Sequence, residues 1–120
     1  MFGEIAQIEF SLPIKKQSIK NLCKINSWNY RAIVSKTGIK YRYVSNKKEN
    51  ALLLALNACK KIKNRNKIEA LIYVTQSPEY PLPTTACVLQ DKLKLSKKVL
   101  AFDINQGCSG FVYGLFTGFS

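Results

Sequence analysis

The sequence contains no histidine among its 120 residues. That absence excludes any histidine-ligated metal site and any histidine base supplied by this chain. The sequence also lacks an uninterrupted apolar run of the ~18 residues that a membrane-spanning helix requires. Acidic residues are scarce, with 7 Asp and Glu against 19 Lys and Arg, which gives a formal net charge of +12. The chain is therefore strongly basic and has no predicted transmembrane helix.

Cysteine pairs with metal-binding spacing are absent as well. The four cysteines, Cys23, Cys59, Cys87 and Cys108, form no C-x-x-C motif, which argues against a zinc site. The N-terminus has neither a basic start nor an apolar run before a cleavage site, so we expect no secretory signal. We therefore expect a cytoplasmic chain with free thiols, three of them in the core. Its length predicts one domain with a modest core.

The basic residues are concentrated in the first half of the chain. Residues 1–67 hold 15 basic and 3 acidic side chains, whereas residues 68–120 hold 4 of each. One interpretation of this excess is a codon bias towards lysine, with the lysines on a solvated face. Another is a surface that binds an acidic or phosphate-bearing partner. A nucleic-acid-binding domain is a third interpretation, although the basic half has no helix-turn-helix, zinc-finger or RNA-binding motif. We expect neither nucleic acid nor a membrane among the partners.

Hydrophobic patterning predicts alternating strands and helices. The predicted strands, which are rich in apolar residues, lie at 2–12, 39–44, 68–75 and 99–104. The predicted helices lie at 18–23, 28–35, 49–63, 84–93 and 109–119. Ser27 is the expected N-cap of the second helix and Gly38 its left-handed C-cap, while three prolines exclude regular structure from 76–83. This order predicts an α/β fold with helices on the faces of a sheet.

The most informative segment surrounds Cys108. A predicted buried strand ends at Ile104, a glycine-containing turn follows, and Cys108 stands where the last predicted helix begins. A helix N-terminus stabilises a thiolate through its dipole and its backbone N–H groups, and the same turn offers N–H donors for an oxyanion. The pattern therefore indicates a cysteine nucleophile. A buried structural cysteine near a helix start is the alternative that spacing alone leaves open.

Three motifs, in order and in register, carry a resemblance to a known family. Phe102–Leu115 (F-D-I-N-Q-G-C-S-G-F-V-Y-G-L) resembles the active-site motif of β-ketoacyl-acyl-carrier-protein synthase III, a thiolase-fold condensing enzyme. Ile33–Ile39, followed by Arg42, resembles the family's I-V-x-[RK]-T-G-I segment. Thr75–Ala86 resembles its T-x-S-P-[DE]-x-x-x-P-x-x-A loop and helix start. The resemblance extends over the whole sequence.

This resemblance implies a thiolase-like fold, a five-layered α/β/α/β/α sandwich built from two similar halves. Residues 1–120 resemble the N-terminal portion, and we expect the C-terminal half to be absent from this sequence. The implied activity is that of a 3-oxoacyl-[acyl-carrier-protein] synthase III-like acyltransferase of fatty-acid or polyketide-type biosynthesis. By similarity, Cys108 is the nucleophile that takes an acyl group from a thioester, and its backbone N–H is an oxyanion-hole donor.

The resemblance also implies the partners of the reaction. The primer is an acyl-CoA or an acyl-carrier-protein thioester, and the acceptor is malonyl-acyl carrier protein. Coenzyme A enters as part of a substrate, so no resident cofactor and no metal are expected, whereas a homodimer is. The histidine and asparagine that assist decarboxylation in the family lie in its second half. We therefore expect the 120-residue chain alone to lack condensing activity.

Four further residues are assigned to substrate binding by the same resemblance. Family members often have a tryptophan that stacks on the adenine of coenzyme A, and Ala32 occupies that position here. Trp28 lies one turn earlier on the same predicted helix, so it would take over this contact. Lys36 stands where the family has an arginine at the nucleotide end, and it keeps the charge without the planar stacking. Leu82 would line the acyl pocket or simply pack in the dimer. Phe111, within the active-site motif, is the fourth.

Other functions stay open at this point. A thiolase-fold relative could transfer its acyl group to an alcohol or an amine, and only the second half would discriminate between these acceptors. The chain could also be a truncated, non-catalytic polypeptide that keeps a dimerisation surface or pairs with a separate second half. Half a sandwich would leave apolar strands and helices without a partner layer, which predicts aggregation.

Overall fold

Two compact units make up the chain. A computed structural model describes residues 3–120. The larger unit comprises the residues up to Ser11 together with Ala51–Ser120, and the smaller unit is Leu12–Asn50. In chain order the strands are β1 Lys15–Ser18, β2 Tyr41–Val44, β3 Ala70–Val74 and β4 Leu100–Ile104. The helices are α1 Ile19–Ile25, α2 Tyr30–Thr37, α3 Ala51–Cys59, α4 Thr85–Lys92 and α5 Gly110–Phe119, with short 3-10 turns at Arg65–Lys67 and Gly107–Ser109.

β3 and β4 form the parallel pair that organises the larger unit. Their register runs from Ala70 opposite Leu100 to Val74 opposite Ile104. The Thr75 N–H extends this ladder by donating to the Ile104 carbonyl at 3.0 Å. α4, which connects the two strands, packs against both, while α3 packs on α4 and α5 packs mainly on β3. Strand, crossover helix and parallel strand form the unit from which α/β sheets are built.

The core of the larger unit is centred on α4. Ala86 and Leu89 of this helix are 0% and 1% exposed, and Leu52 of α3 and Val99, just before β4, are also buried. The apolar runs at 68–75 and 99–104 predict largely buried strands, but the residues of β3 and β4 are mostly half-buried. Strand side chains project from the two faces of a sheet, and α4 and α5 cover the faces of this strand pair only in part. None of the helices in residues 3–120 is long and apolar enough to span a membrane.

An antiparallel strand pair with two helices forms the smaller unit. β1 pairs with β2, with Lys15 opposite Val44, and α1 packs against α2 and β1. Ile19 and Cys23 of α1 are buried. Gly38 ends α2 at φ 69°, so the predicted left-handed C-cap is confirmed.

Most of the predicted elements are confirmed, with ends shifted by a few residues. These are the strands at 39–44, 68–75 and 99–104 and the helices at 18–23, 28–35, 49–63, 84–93 and 109–119. The segment at 76–83 forms no helix or strand, as its prolines predict. The elements that position Cys108, namely β3, α4, β4 and α5, were all indicated by the sequence pattern.

The predicted strand at 2–12 is wrong for the described residues 3–12, which form no regular element. A strand needs a neighbouring backbone to pair with, and side chains hold this segment instead. Gln7 Nε2 donates to the Lys61 carbonyl at 3.2 Å, and Gln7 Oε1 accepts from the Lys63 N–H at 3.1 Å. Phe2, at the start of the predicted strand, lies outside the described residues.

The second helix begins later than predicted. Asn29 is its N-cap, because the Asn29 Oδ1 accepts a hydrogen bond from the Ala32 N–H at 3.0 Å. The predicted cap, Ser27, has φ 56°, whereas a capping residue is extended. Trp28 therefore precedes the helix and is not part of it.

The third helix is shorter than predicted and less buried. It ends at Cys59, and Arg65 Nη1 then donates to the carbonyls of Lys60 and Ile62 at 2.6 and 2.8 Å. The arginine thereby satisfies carbonyl groups that a continuing helix would have paired. Apolar residues around most of the circumference of 49–63 predict a helix buried on more than one side. This prediction is wrong, because Leu52 is the one buried residue of α3.

Candidate active site

Cys108 stands at the carboxyl end of the parallel strand pair. β4 ends at Ile104, the 3-10 turn Gly107–Ser109 follows, and α5 begins at Gly110. The strand–turn–helix arrangement predicted around Cys108 is thus present. Gly107 has φ 56°, a left-handed conformation that residues with a Cβ rarely adopt. Open α/β sheets bind their ligands beyond the carboxyl ends of the strands, and the cysteine occupies such a position.

The four thiols differ in their accessibility. All are free, and Cys108 is the exposed one, while Cys23 is buried and Cys59 and Cys87 are half-buried. Burial raises the pKa of the Cys59 thiol, an effect that the charge of Arg65 partly offsets. A thiol must be deprotonated and accessible to act as a nucleophile. Accessibility therefore favours Cys108 over the other three cysteines.

Two glycines allow the Cys108 turn to approach the end of β3 closely. A Cβ on Gly110 would lie 2.7 Å from Val74 Cγ1, closer than two carbon atoms can pack. On the other side of the cysteine, a Cβ on Gly107 would lie 3.2 Å from Gln76 Nε2. The residues that flank Cys108 are thus held against Val74 and Gln76.

Asp103, the charged residue of β4, is engaged by the start of α4. Its Oδ2 accepts from the Thr85 N–H at 2.8 Å, and its Oδ1 accepts from the Ala86 N–H at 2.7 Å. Burial, followed by the charge of Asp103, raises the pKa of Tyr73, which lies opposite it in the strand pair. This carboxylate therefore caps the N-terminus of α4. Residues 3–120 contain no cluster of three side chains suited to bind a metal ion.

Known proteins resemble this chain in sequence over much of its length. No protein-family model matches it. The beta-ketoacyl-[acyl-carrier-protein] synthase III of Clostridium perfringens (strain SM101) is 44% identical over 91 residues, which cover 72% of this chain and 28% of that protein. The corresponding protein of Neisseria meningitidis serogroup A is 32% identical over 121 residues, which cover 97% of this chain and 38% of that protein.

Solved structures agree with the sequence comparison. A crystal structure of 3-oxoacyl-(acyl-carrier-protein) synthase III matches with a TM-score of 0.85 and 36% identity, over 94% of this chain and 35% of that one. The synthase III of Aquifex aeolicus VF5 matches with a TM-score of 0.80 and 32% identity, over 92% and 37%. This chain is similar in sequence and fold to part of β-ketoacyl-[acyl-carrier-protein] synthase III. Its α/β fold is that of part of a thiolase-like structure, and it spans roughly a third of the length of these synthase III relatives.

Phe111, one of the residues that the synthase III resemblance assigns to substrate binding, lies near Cys108 in the first turn of α5. It is 68% exposed. Together with Ile72, Val74 and Leu115 it lines an apolar groove between β3 and α5. The groove starts within one helical turn of the cysteine. A substrate-binding role for Phe111 stays a prediction.

The other three assigned residues lie elsewhere in the chain. Leu82, in the loop after β3, is 81% exposed. Trp28 and Lys36 belong to the smaller unit, where Lys36 lies in the last turn of α2. Trp28 precedes the N-cap Asn29, so the expectation that it shares a helix with Ala32 is wrong. The roles of these three residues in binding synthase III substrates stay predictions.

Sequence reasoning missed Val74 and Gln76. Both lie where β3 ends, and both contact the segment that carries Cys108. The signal that could have found them is the meeting of adjacent parallel strands at one edge of the sheet. Since the strand ending at Thr75 neighbours the strand that leads to Cys108, the residues around Thr75 were candidates for the same site.

Proposed function

We propose that the protein to which this chain belongs is a condensing acyltransferase of the 3-oxoacyl-[acyl-carrier-protein] synthase III type, with Cys108 as its acyl-accepting nucleophile. The observation that carries the proposal is the exposed Cys108 on a strand–turn–helix at the carboxyl end of β4. The similarity to synthase III enzymes over 97% of the chain supports it. Reactive cysteines sit at such helix starts because backbone N–H groups and the dipole favour the thiolate.

The first half-reaction is an acyl transfer to sulfur. The Cys108 thiolate attacks the carbonyl carbon of an acyl thioester, and a new carbon–sulfur bond forms. The carbon–sulfur bond to the carrier breaks, and the departing thiolate takes up the proton that Cys108 gave up. Backbone N–H groups of the turn, that of Cys108 among them, would stabilise the oxyanion that forms in between.

The second half-reaction would lengthen the acyl group. Malonyl-acyl carrier protein loses carbon dioxide, and the electron pair left on its α-carbon attacks the acyl carbon. A carbon–carbon bond forms as the bond to Cys108 breaks. Because the 120 residues contain no histidine, any histidine that assists decarboxylation would come from outside this sequence.

The relatives are named for acyl carrier protein, which supports a carrier-protein partner. We assign an acyl-CoA or acyl-carrier-protein primer and malonyl-acyl carrier protein to the whole enzyme, which would act as a cytoplasmic homodimer without a resident cofactor. Trp28 and Lys36 would contact the nucleotide end of coenzyme A, and Leu82 and Phe111 the acyl group. Removal of the Lys36 charge would weaken acyl-CoA binding in particular.

Acylation of the chain tests the proposal. The protein is incubated with acetyl-CoA and its intact mass is measured. We expect one acetyl group on the wild-type chain and on a Cys59→Ser control, and none on Cys108→Ala, because the thiol that captures the acyl group is then missing. With malonyl-acyl carrier protein added, this 120-residue chain should release no β-ketoacyl product.

Two results would contradict the proposal. One is a wild-type chain that gains no acetyl group although its thiols remain reduced. The other is an adduct that persists in Cys108→Ala, since a different cysteine would then be the acceptor.

A further inference from the structure

Gln76 has a fixed position at the edge of the strand pair. On one side of it, the Thr75 N–H donates to the Ile104 carbonyl at 3.0 Å. On the other side, the Ser77 N–H donates to Thr75 Oγ1 at 3.0 Å. The backbone around Gln76 is therefore tied to the end of β4, the strand that leads into the Cys108 turn.

The carboxamide of Gln76 points at that turn. Its Nε2 lies 3.2 Å, and its Cδ 3.9 Å, from the position that a Cβ of Gly107 would occupy. Gly107 directly precedes Cys108. Because Gly107 has no side chain, the amide fits into the space that a Cβ would crowd.

The polar atoms of this carboxamide have no protein partner among residues 3–120: neither its oxygen nor its nitrogen takes part in any hydrogen bond there. Gln76 is exposed, as is Cys108. A carboxamide offers one acceptor and two donor hydrogens. A hydrogen-bonding group without a protein partner thus lies next to Gly107, the residue before the cysteine, where a bound substrate could reach it.

We propose that Gln76 is a substrate-contacting residue of the Cys108 site, whose carboxamide hydrogen-bonds a polar group of the acyl thioester. The chemistry fits a pantetheine thioester, since its arm carries amide groups that pair with a carboxamide. The inference rests on the proposed function and adds to it a residue that sets affinity for the thioester. One neutral hydrogen bond of this kind corresponds to about a 2- to 10-fold effect on affinity.

Gln76→Met tests this contact, because methionine keeps the length of the side chain and removes its hydrogen-bonding atoms. The rate of Cys108 acetylation is measured against acetyl-CoA concentration. We expect KM to rise about 2- to 10-fold, with a smaller change in the maximal rate. Ser77→Ala, a change at the adjacent polar residue of the same loop, should leave both values unchanged.

Reaction of Cys108 with the small disulfide reagent DTNB separates a substrate contact from a structural role. The reagent has no pantetheine arm, so Gln76→Met should react with it at the wild-type rate. Equal KM values in the wild type and Gln76→Met would overturn the inference while the proposed function stands. A parallel loss of DTNB reactivity would also overturn it, because Gln76 would then only support the turn. A wild-type chain that cannot be acetylated would overturn both proposals.

Discussion

Single glycines decide how closely α5 approaches β3. A Cβ on Gly110 would lie 2.7 Å from Val74 Cγ1, and one on Gly114 would lie 2.8 Å from Val74 Cγ2. Valine is β-branched and its side chain has little rotational freedom, so it cannot turn away from an added methyl group. The start of α5, and with it the Cys108 turn, therefore depends on the absence of side chains at these positions.

We expect Gly110→Ala to destabilise the chain by about 1–3 kcal/mol, because the added methyl group overpacks the contact with Val74. Gly118→Ala, in the same helix, is the matched control. A Cβ there would meet nothing closer than Ile72 Cδ1 at 3.9 Å, so better helix propensity should leave stability equal or raised by up to ~1 kcal/mol. Urea unfolding measures both, and equal effects of the two substitutions would contradict the packing argument.

At the scale of elements, Asp103 links β4 to α4. Its two carboxylate oxygens accept from the N–H groups of Thr85 and Ala86 at 2.8 and 2.7 Å. A helix start leaves N–H groups unpaired and carries partial positive charge, so a carboxylate is well suited there. The cap comes from a neighbouring strand, whereas the residue at the helix's own N-cap, Thr84, makes no side-chain capping bond.

Asp103→Asn should destabilise the chain by about 1–3 kcal/mol, since the amide keeps one acceptor and loses the charge and the second hydrogen bond. Asp91→Asn is the same chemical change at the exposed ion pair with Lys97, where the two side chains are 77% and 81% exposed. That control should cost less than ~1 kcal/mol. Thermal or urea unfolding compares them, and a control as costly as Asp103→Asn would contradict the capping role.

Over the whole molecule, a small core coexists with large exposed apolar surfaces. Six hydrophobic residues are buried among the described residues. The helix α5, in contrast, exposes Phe111, Val112 and Phe116 by 65–73%. An apolar patch of this kind on a chain in water favours association.

We therefore expect the 120-residue chain to self-associate at micromolar concentration. Phe116→Lys should reduce the associated fraction, because it places a charge in the apolar patch of α5. Thr117→Lys adds the same charge at the next, exposed position and keeps the apolar patch intact, so it should change association less. Sedimentation velocity measures the associated fraction of the wild type and of the two lysine variants. A monomeric wild type, or equal effects of the two lysines, would contradict this expectation.

The sequence predicted much of the fold, for reasons visible at particular residues. The buried helix of Ala86 and Leu89, the left-handed Gly38 and the apolar strands before Thr75 and Asn105 all have local signals. The failures have a physical reason as well. The alternation at 2–12 predicted a strand, but a strand forms only where a neighbour pairs with it, and here Gln7 binds the backbone of Lys61 and Lys63 instead.

The candidate site likewise has features that the sequence predicts and features that only the tertiary structure shows. Residue order alone determined that a cysteine follows a strand and precedes a helix, because a glycine turn and helical spacing are local properties of the chain. Tertiary structure decided that Cys108 is the accessible thiol, that Val74 fits against Gly110 and that Gln76 faces Gly107. These residues meet because parallel pairing brings the ends of β3 and β4 to the same edge, a contact between segments some thirty residues apart that local patterns cannot specify.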